Sequence, residues 1–375
     1  MATERDVGRT DATGPAAAGG ACTVSVSADP PDWSEALAAR PHSTLFHDPR
    51  WGQVMAAAYG SRPRYLTAER AGRTVGLLPL VGQRSLLVGS HLASLPYFDA
   101  AGLVADDAAA ADALLVQARA EMDALGARWV ELRQESPIAG LRPGVPGLRP
   151  GVAGSLPLRT DKVTLRLALP PDPQVLWKKL NAKVRNQVRK AQGDGQKAVL
   201  GGAELVDEFH GLYVRTMRDL GSPPHSRRFF RLIADRFAAV VRIHVVRSGD
   251  RPMAASLTLT DHHAVRVPWA ASDWRFRQSC ANMLLYWSML EEACLRAAPA
   301  FDFGRSTRDS GTYRFKAQWG AEEAPLYWHY LVPEGGEAPE LRPESPKFRL
   351  AAAVWRRLPL WVVRLLGPRI IGGLS

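Results

Sequence analysis

Two rhythms of apolar residues alternate along the chain. Short runs such as CTVSVSA (22–28), RPRYLTAE (62–69) and TVGLLPLVG (74–82) alternate or cluster their apolar positions as strands do. Between them the spacing lengthens to three or four residues. DWSEALAAR (32–40), with Asp32 as expected N-cap, and PRWGQVMAAAYG (49–60), stopping at Gly60, read as helices. The run 86–105 looks extended and irregular. A helix is expected over 107–126, leading into the strand RWVELRQ (128–134). The order then repeats. KVTLRLAL (162–169) precedes a basic helix (173–192), the strand KAVLGG (197–202) and helices over 204–221 and 226–237. Strands follow at 239–248, 252–261 and 263–272, then a helix at 279–298, the strand AFDFG (300–304) and the strand-like PLYWHYLV (325–332). Each half reads strand, helices, antiparallel strands, long helix, strand. That is an α/β or α+β arrangement with mixed sheets flanked by helices.

Length agrees with two units, since 375 residues exceed one ordinary core. The expected division is a disordered tail (1–21), a first domain (22–135), a Pro/Gly-rich linker with two LRPGV copies (136–157), a second domain (158–335) and a basic amphipathic tail (336–375). With 48 Lys and Arg against 37 Asp and Glu, the net charge of +11 favours anionic partners. Cys22, Cys280 and Cys294 are too few and too scattered for a disulfide framework or a metal cluster, which fits a reducing cytoplasm. The first twenty residues lack the apolar core of a signal peptide. No window offers the ~18 apolar residues of a membrane span.

Three stretches carry candidate chemistry. FGRSTRDSGTYRFKAQWG (303–320) reads as a cationic loop punctuated by glycines between two core strands. Arg305 and Arg314 can fork onto a carboxylate or phosphate, and Ser306 can donate a further hydrogen bond. Lys316 beside a tetrahedral oxyanion would stabilise its charge; otherwise it caps the loop in solvent. In LPYFDAAGL (95–103), Asp99 can orient an acceptor amine or take its proton, or cap a turn, and Tyr97 can bind substrate or pack. On the helix 173–192, Trp177, Leu180, Val184, Val188 and Ala191 would face the core. The rest of its surface is cationic, so Arg185 and Arg189 either meet an RNA or diphosphate backbone or form a solvated face.

LPYFDAAGLVAD, KVRNQVRKA and FDFGRSTRDSGTYRFKAQWGAEEAPLYW, set in this twofold rhythm, resemble the Fem-type aminoacyltransferases, whose halves are N-acetyltransferase-like (GNAT) domains in tandem. The similarity is greatest to the subgroup associated with exosortase (PEP-CTERM) and exopolysaccharide systems, and covers about 22–333. The resemblance implies amide-forming acyl transfer from an aminoacyl-tRNA to an amine of a cell-envelope or exopolysaccharide-linked acceptor. It also implies that Phe315 and Lys316 lie in the active cleft, with neighbouring Tyr313 in the binding region, and that 95–103 lines the acceptor side. Two alternatives stay open: N-acyl transfer from acyl-CoA or an acyl carrier, and a non-catalytic protein binding an anionic ligand. RQSCAN (277–282) lacks the glycine turn of a coenzyme A site, and Asp106 and Asp107 would repel phosphate in the first half. No cofactor and no metal are expected. The tail, with only basic charges after residue 345 and two tryptophans, fits an anionic membrane interface or packing on the second domain, placing the protein in the cytoplasm or at the inner membrane face.

Overall fold

The computed structural model describes residues 21–85, 89–138, 156–333 and 346–373. The expected N-terminal tail and most of the linker lie outside them. The chain runs β1 (Thr23–Ser27), α1 (Ser34–Ala38), α2 (Arg50–Tyr59), β2 (Arg62–Arg70), β3 (Arg73–Ser85), β4 (Gly89–Ala93), β5 (Val104–Ala105), α3 (Ala108–Ala124) and β6 (Val130–Gln134). It continues with β7 (Leu158–Arg159), β8 (Lys162–Ala168), α4 (Pro173–Lys179), α5 (Ala182–Gly193), β9 (Gln196–Gly201), α6 (Val206–Leu220) and α7 (Arg227–Arg236). Then come β10 (Val241–Ser248), β11 (Arg251–Thr260), β12 (Val265–Ser272), α8 (Ala281–Leu295), β13 (Ala300–Thr307), α9 (Gly311–Ala317), β14 (Glu322–Pro325), β15 (Tyr327–Leu331), α10 (Pro346–Arg357) and α11 (Leu360–Ile371).

These elements form two mixed sheets flanked by helices. The first is ordered β1-β2-β3-β4-β6-β15-β7, with β5 on β3; the second is β14-β8-β13-β12-β11-β10-β9. The two orders match place for place, with one exchange. β8, the first long strand after β6, sits beside β13 in the second sheet, and β15 returns to sit beside β6 in the first. Sequence puts YWHYL in the second half; pairing puts it in the first sheet. Its alternation states that it is a strand and not which edge it will cover.

Local chemistry explains several boundaries. Asp107 begins α3 by accepting a hydrogen bond from the Ala110 amide, and Ser226 begins α7 through Phe229. The basic helix is two helices, not one. Leu180 turns extended, and Asn181 caps α5 by accepting from the Val184 amide. The break places Leu176 in the core and leaves Trp177 half-buried. At the front of α1, Asp32 accepts from the Ser34 amide, though the capping position belongs to Trp33. The expected loop after residue 307 holds a helix, α9, capped by Ser310 through the Tyr313 amide.

One apolar cluster joins the halves. Phe46, Trp51 and Phe98 meet Phe209, Phe229, Phe237 and Trp269 across the boundary. Trp51 stacks on Phe237 at 4.1 Å, and Phe98 meets Trp269 edge-on at 5.3 Å. Such pairs add about 0.5–1.5 kcal/mol each beyond buried area. The cluster holds the two sheets in fixed relation, so a site can be built between them. The tail folds back on this junction: Val363 and Gly367 of α11 are buried, the latter against Pro224.

Candidate functional site

In the second sheet the parallel pairing of β12 with β13 is confined to Val265–Phe301 and Arg266–Asp302. The next residues on both strands, Val267 to Ala270 and Phe303 to Arg305, line a cavity of about 430 Å³. Gly304 makes the separation sterically possible. Its φ is +75°, and a Cβ there would stand 2.7 Å from the Val267 carbonyl oxygen. The opposite wall comes from the first half, through Phe46, Tyr97, Phe98, Asp99, Ala100, Arg133 and Glu135.

Lys316 enters from α9. It is 8% exposed, and its Nζ donates to the carbonyls of Gly304 (2.7 Å) and Arg305 (2.9 Å). Burial pushes its ammonium down to about 8, against the opposing pull of Asp302 and Asp99. Arg305 pairs with Asp99 across the halves at 3.2 Å and lies over the Trp328 ring. Beneath them is a buried ionic cluster. Arg266 binds Glu135 (2.6 Å), Asp261 (3.0 Å) and Asp302 (3.3 Å), and Arg166 also bonds to Glu135 and Asp302. Burial alone would raise Glu135, but Arg266 and Arg166 hold its carboxyl below the ordinary range. Asp302 also accepts from Thr164 Oγ1 and from the Gly304 amide at 2.8 Å, so it fixes the turn whose carbonyl holds Lys316. A buried cluster this well paired rigidifies its surroundings, and it spans both sheets.

The other end of the cavity is aromatic. Tyr97 has φ +72°, a costly conformation for a bulky residue. Its hydroxyl donates to the Ile371 carbonyl at 3.0 Å and accepts from Gln83 Nε2 at 3.0 Å, so α11 helps to hold it. His225 is buried against Tyr97 and Phe229, and its Nδ1 is 2.7 Å from the Tyr59 hydroxyl. Burial pushes this imidazole down to about 3, so it is neutral at physiological pH.

The cavity therefore brings together Tyr97, Asp99, Arg305 and Lys316 among the residues expected from sequence. The others lie outside its lining. Ser306 is buried beside it on β13. Tyr313 donates to Glu323 at 3.3 Å, Arg314 is exposed on the far side of α9, and Phe315 packs edge-on against Tyr286. Tyr313, three residues before Lys316, shares its side of α9 but is drawn to Glu323, and Phe315 stands behind Tyr286, which lines the cavity. Arg185 folds back on the Leu180 and Lys178 carbonyls, and Arg189 lies 5.5 Å from the Trp177 ring. Arg185 is thus tied to the α4–α5 junction, while Arg189 stays exposed on α5, outside the cavity. Sequence reading missed Glu135, Arg133, Arg266 and Asp302. The available signal was a charge set inside an otherwise apolar strand, as in AVRVPW and AFDF, where water is absent and a partner is required.

At the matching place in the first half, Asp107 pairs with Arg70 at 2.7 Å and Asp106 with Arg40 at 2.9 Å. The Arg70 pair and the Ala110 amide hold the Asp107 carboxyl down at about 2. This helix start is occupied by its own carboxylate.

Comparison with known proteins agrees with this fold. Residues 178–317 match the model of the acetyltransferase (GNAT) domain. No curated protein matches the chain by sequence. Among solved structures, FemX superposes with a TM-score of 0.58 at 15% identity, over 79% of this chain and 94% of that one. A conserved protein of unknown function from Bacteroides thetaiotaomicron superposes at 0.52 and 8% identity, over 83% and 100%. A tandem GNAT protein from the clavulanic acid pathway reaches 0.48 at 14% identity, over 84% and 100%. The superpositions at this level of identity speak to fold. The domain match describes an acyltransferase of the GNAT type, and the superposition on FemX shows that its two-sheet fold is shared.

Proposed function

We propose that the protein is a Fem-type aminoacyltransferase that forms an amide on an amine-bearing, anionic acceptor of the cell envelope or an exopolysaccharide system. The observation that carries this reading is the convergence of Lys316 from one half with Asp99 from the other in one cavity, bridged by Arg305. The acceptor amine, oriented by Asp99, attacks the carbonyl carbon of the acyl ester. The C–N bond forms as the π electrons move onto oxygen, and Lys316 stabilises that oxyanion. Collapse breaks the C–O bond, and the amine's proton ends on the departing 3′-hydroxyl of the tRNA, with Asp99 as relay. Arg305 is suited to an acceptor carboxylate or phosphate. The whole chain's basic balance favours such partners.

The tail adds a membrane face to this reading. Leu350, Val354, Trp361, Leu365, Leu366 and Ile370 are exposed on α10 and α11, and no acid occurs between residues 346 and 373. No described helix is long and apolar enough to cross a membrane. A half-docked helix pair with an apolar outer stripe and only basic charges fits a surface of anionic head groups.

The test is transfer of label from total charged tRNA, run beside labelled acyl-CoA, onto amine-bearing envelope precursors. Label moving from tRNA, and lost in Lys316→Ala, supports the proposal. Label moving only from acyl-CoA would replace the donor, and no transfer from either would end the reading.

A further inference from the structure

The two ends of the cavity differ in charge, and the difference specifies a substrate. At the uncharged end stand Tyr97, Tyr213, Met217, His225, Trp269 and Ile371. Their polar tips are already engaged where hydrogen bonds are resolved: Tyr97 with Gln83 and Ile371, His225 with Tyr59. Phe229 and Phe230 back the wall, the latter 5.2 Å from Trp269. Tyr97 is held in a left-handed backbone conformation that no turn glycine supplies, and its ring contributes to this wall. A charged side chain placed here would lose its water to a surface with little to offer in exchange.

We propose that this end holds the side chain of the transferred acyl group, and that the group is apolar and of leucyl to phenylalanyl size. The inference rests on the acyl-transfer reading. In that reading Lys316 faces the carbonyl oxygen and Asp99 the incoming amine. The remaining substituent of the carbonyl carbon is the acyl side chain, and the uncharged wall is the part of the cavity left for it. A phenylalanyl ring would meet aromatic edges and faces; an alanyl methyl would leave the space unfilled. Each buried methylene is worth about fourfold in affinity, so a leucyl group should exceed alanyl by at least about tenfold.

The experiment is calorimetric binding of non-reactive 3′-aminoacylamino-3′-deoxyadenosines to the full chain. The probes carry phenylalanyl, leucyl, alanyl, aspartyl or lysyl groups. The expected result is leucyl and phenylalanyl at least tenfold tighter than alanyl, with both charged groups weaker than alanyl. Met217→Glu should cut phenylalanyl affinity at least tenfold more than alanyl affinity. Should that variant fail to fold by circular dichroism, Ile371→Ala, at the chain's half-exposed end, carries the same comparison. Equal affinity for alanyl, tighter binding of a charged probe, or no binding at millimolar concentration overturns the proposal. A retained apolar preference in a protein that transfers nothing from charged tRNA would leave this pocket standing and remove the reaction.

Discussion

The first and second sheets put the same two strand positions to opposite uses. In the first, the parallel pairing of β4 with β6 covers Leu92–Val130 and Ala93–Glu131; in the second, β12 with β13 covers Val265–Phe301 and Arg266–Asp302. Glu131 and Asp302 are therefore equivalent, and two residues on stand Arg133 and Gly304. Arg133 is 1% exposed and fills its side of the split. It binds Glu131 at 3.1 Å and the Phe98 carbonyl at 2.8 Å, under the Trp328 ring. Gly304 has no side chain, and its carbonyl instead receives Lys316. One split is plugged by an arginine, and the other is left hollow and furnished with a lysine. The domain match falls on the hollow one. The comparison teaches that a duplicated fold needs only one open copy, the other serving as wall.

The plug should be worth the most. Arg133→Met removes the buried arginine that binds both Glu131 and the Phe98 carbonyl and should cost about 3–5 kcal/mol, read as a shift of the denaturation midpoint. A loss below about 1 kcal/mol would mean the first split tolerates a void or a water. Next is the lysine of the second split: Lys316→Ala should lower single-turnover transfer by about 10²–10³ while the protein stays folded. Its acid–base behaviour sharpens the assignment. With the ammonium depressed to about 8, the cation is present below that pH and lost above it. The transfer rate should therefore fall as pH rises through about 8; a rate that rises there would make Lys316 a base. Gly304→Ala forces a Cβ toward the Val267 carbonyl at positive φ and should cost about 1–3 kcal/mol, with a lowered melting temperature. The smallest effect lies on the outer stripe. Trp361→Glu with Leu365→Glu should abolish flotation with anionic vesicles and change stability by no more than about 0.5 kcal/mol.

Sequence carried the elements, because they rest on local signals; the meeting of Asp99 with Lys316 in one cavity was expected from the family resemblance of 95–103 and 303–320 and not from any local pattern. Strand alternation, the stop at Gly60 and a helix over 107–126 are visible in windows of a dozen residues. Three features escaped for physical reasons. Gly311 reads as a breaker, yet with Ser310 capping it opens a helix, and of that helix Lys316 alone lines the cavity, with Phe315 behind Tyr286. The like charges of 173–192 suggested one long cationic face, but Asn181 interrupts it, and Arg185 turns back to the carbonyls of the junction. The cluster around Arg266 needs partners from residues 135, 261 and 302, and separation of that order leaves no periodicity to read.

The exchange of β8 and β15 has a consequence for the newborn chain. One edge of β6 stays bare until Leu331 has left the ribosome, roughly two hundred residues later, or on the order of 10–40 s of translation. A strand with an unpaired edge is open to pairing with a neighbouring nascent chain for that interval. The first sheet is complete only when its last strand arrives from the far end of the second half, so cutting the chain between the halves would leave an edge of β6 unpaired.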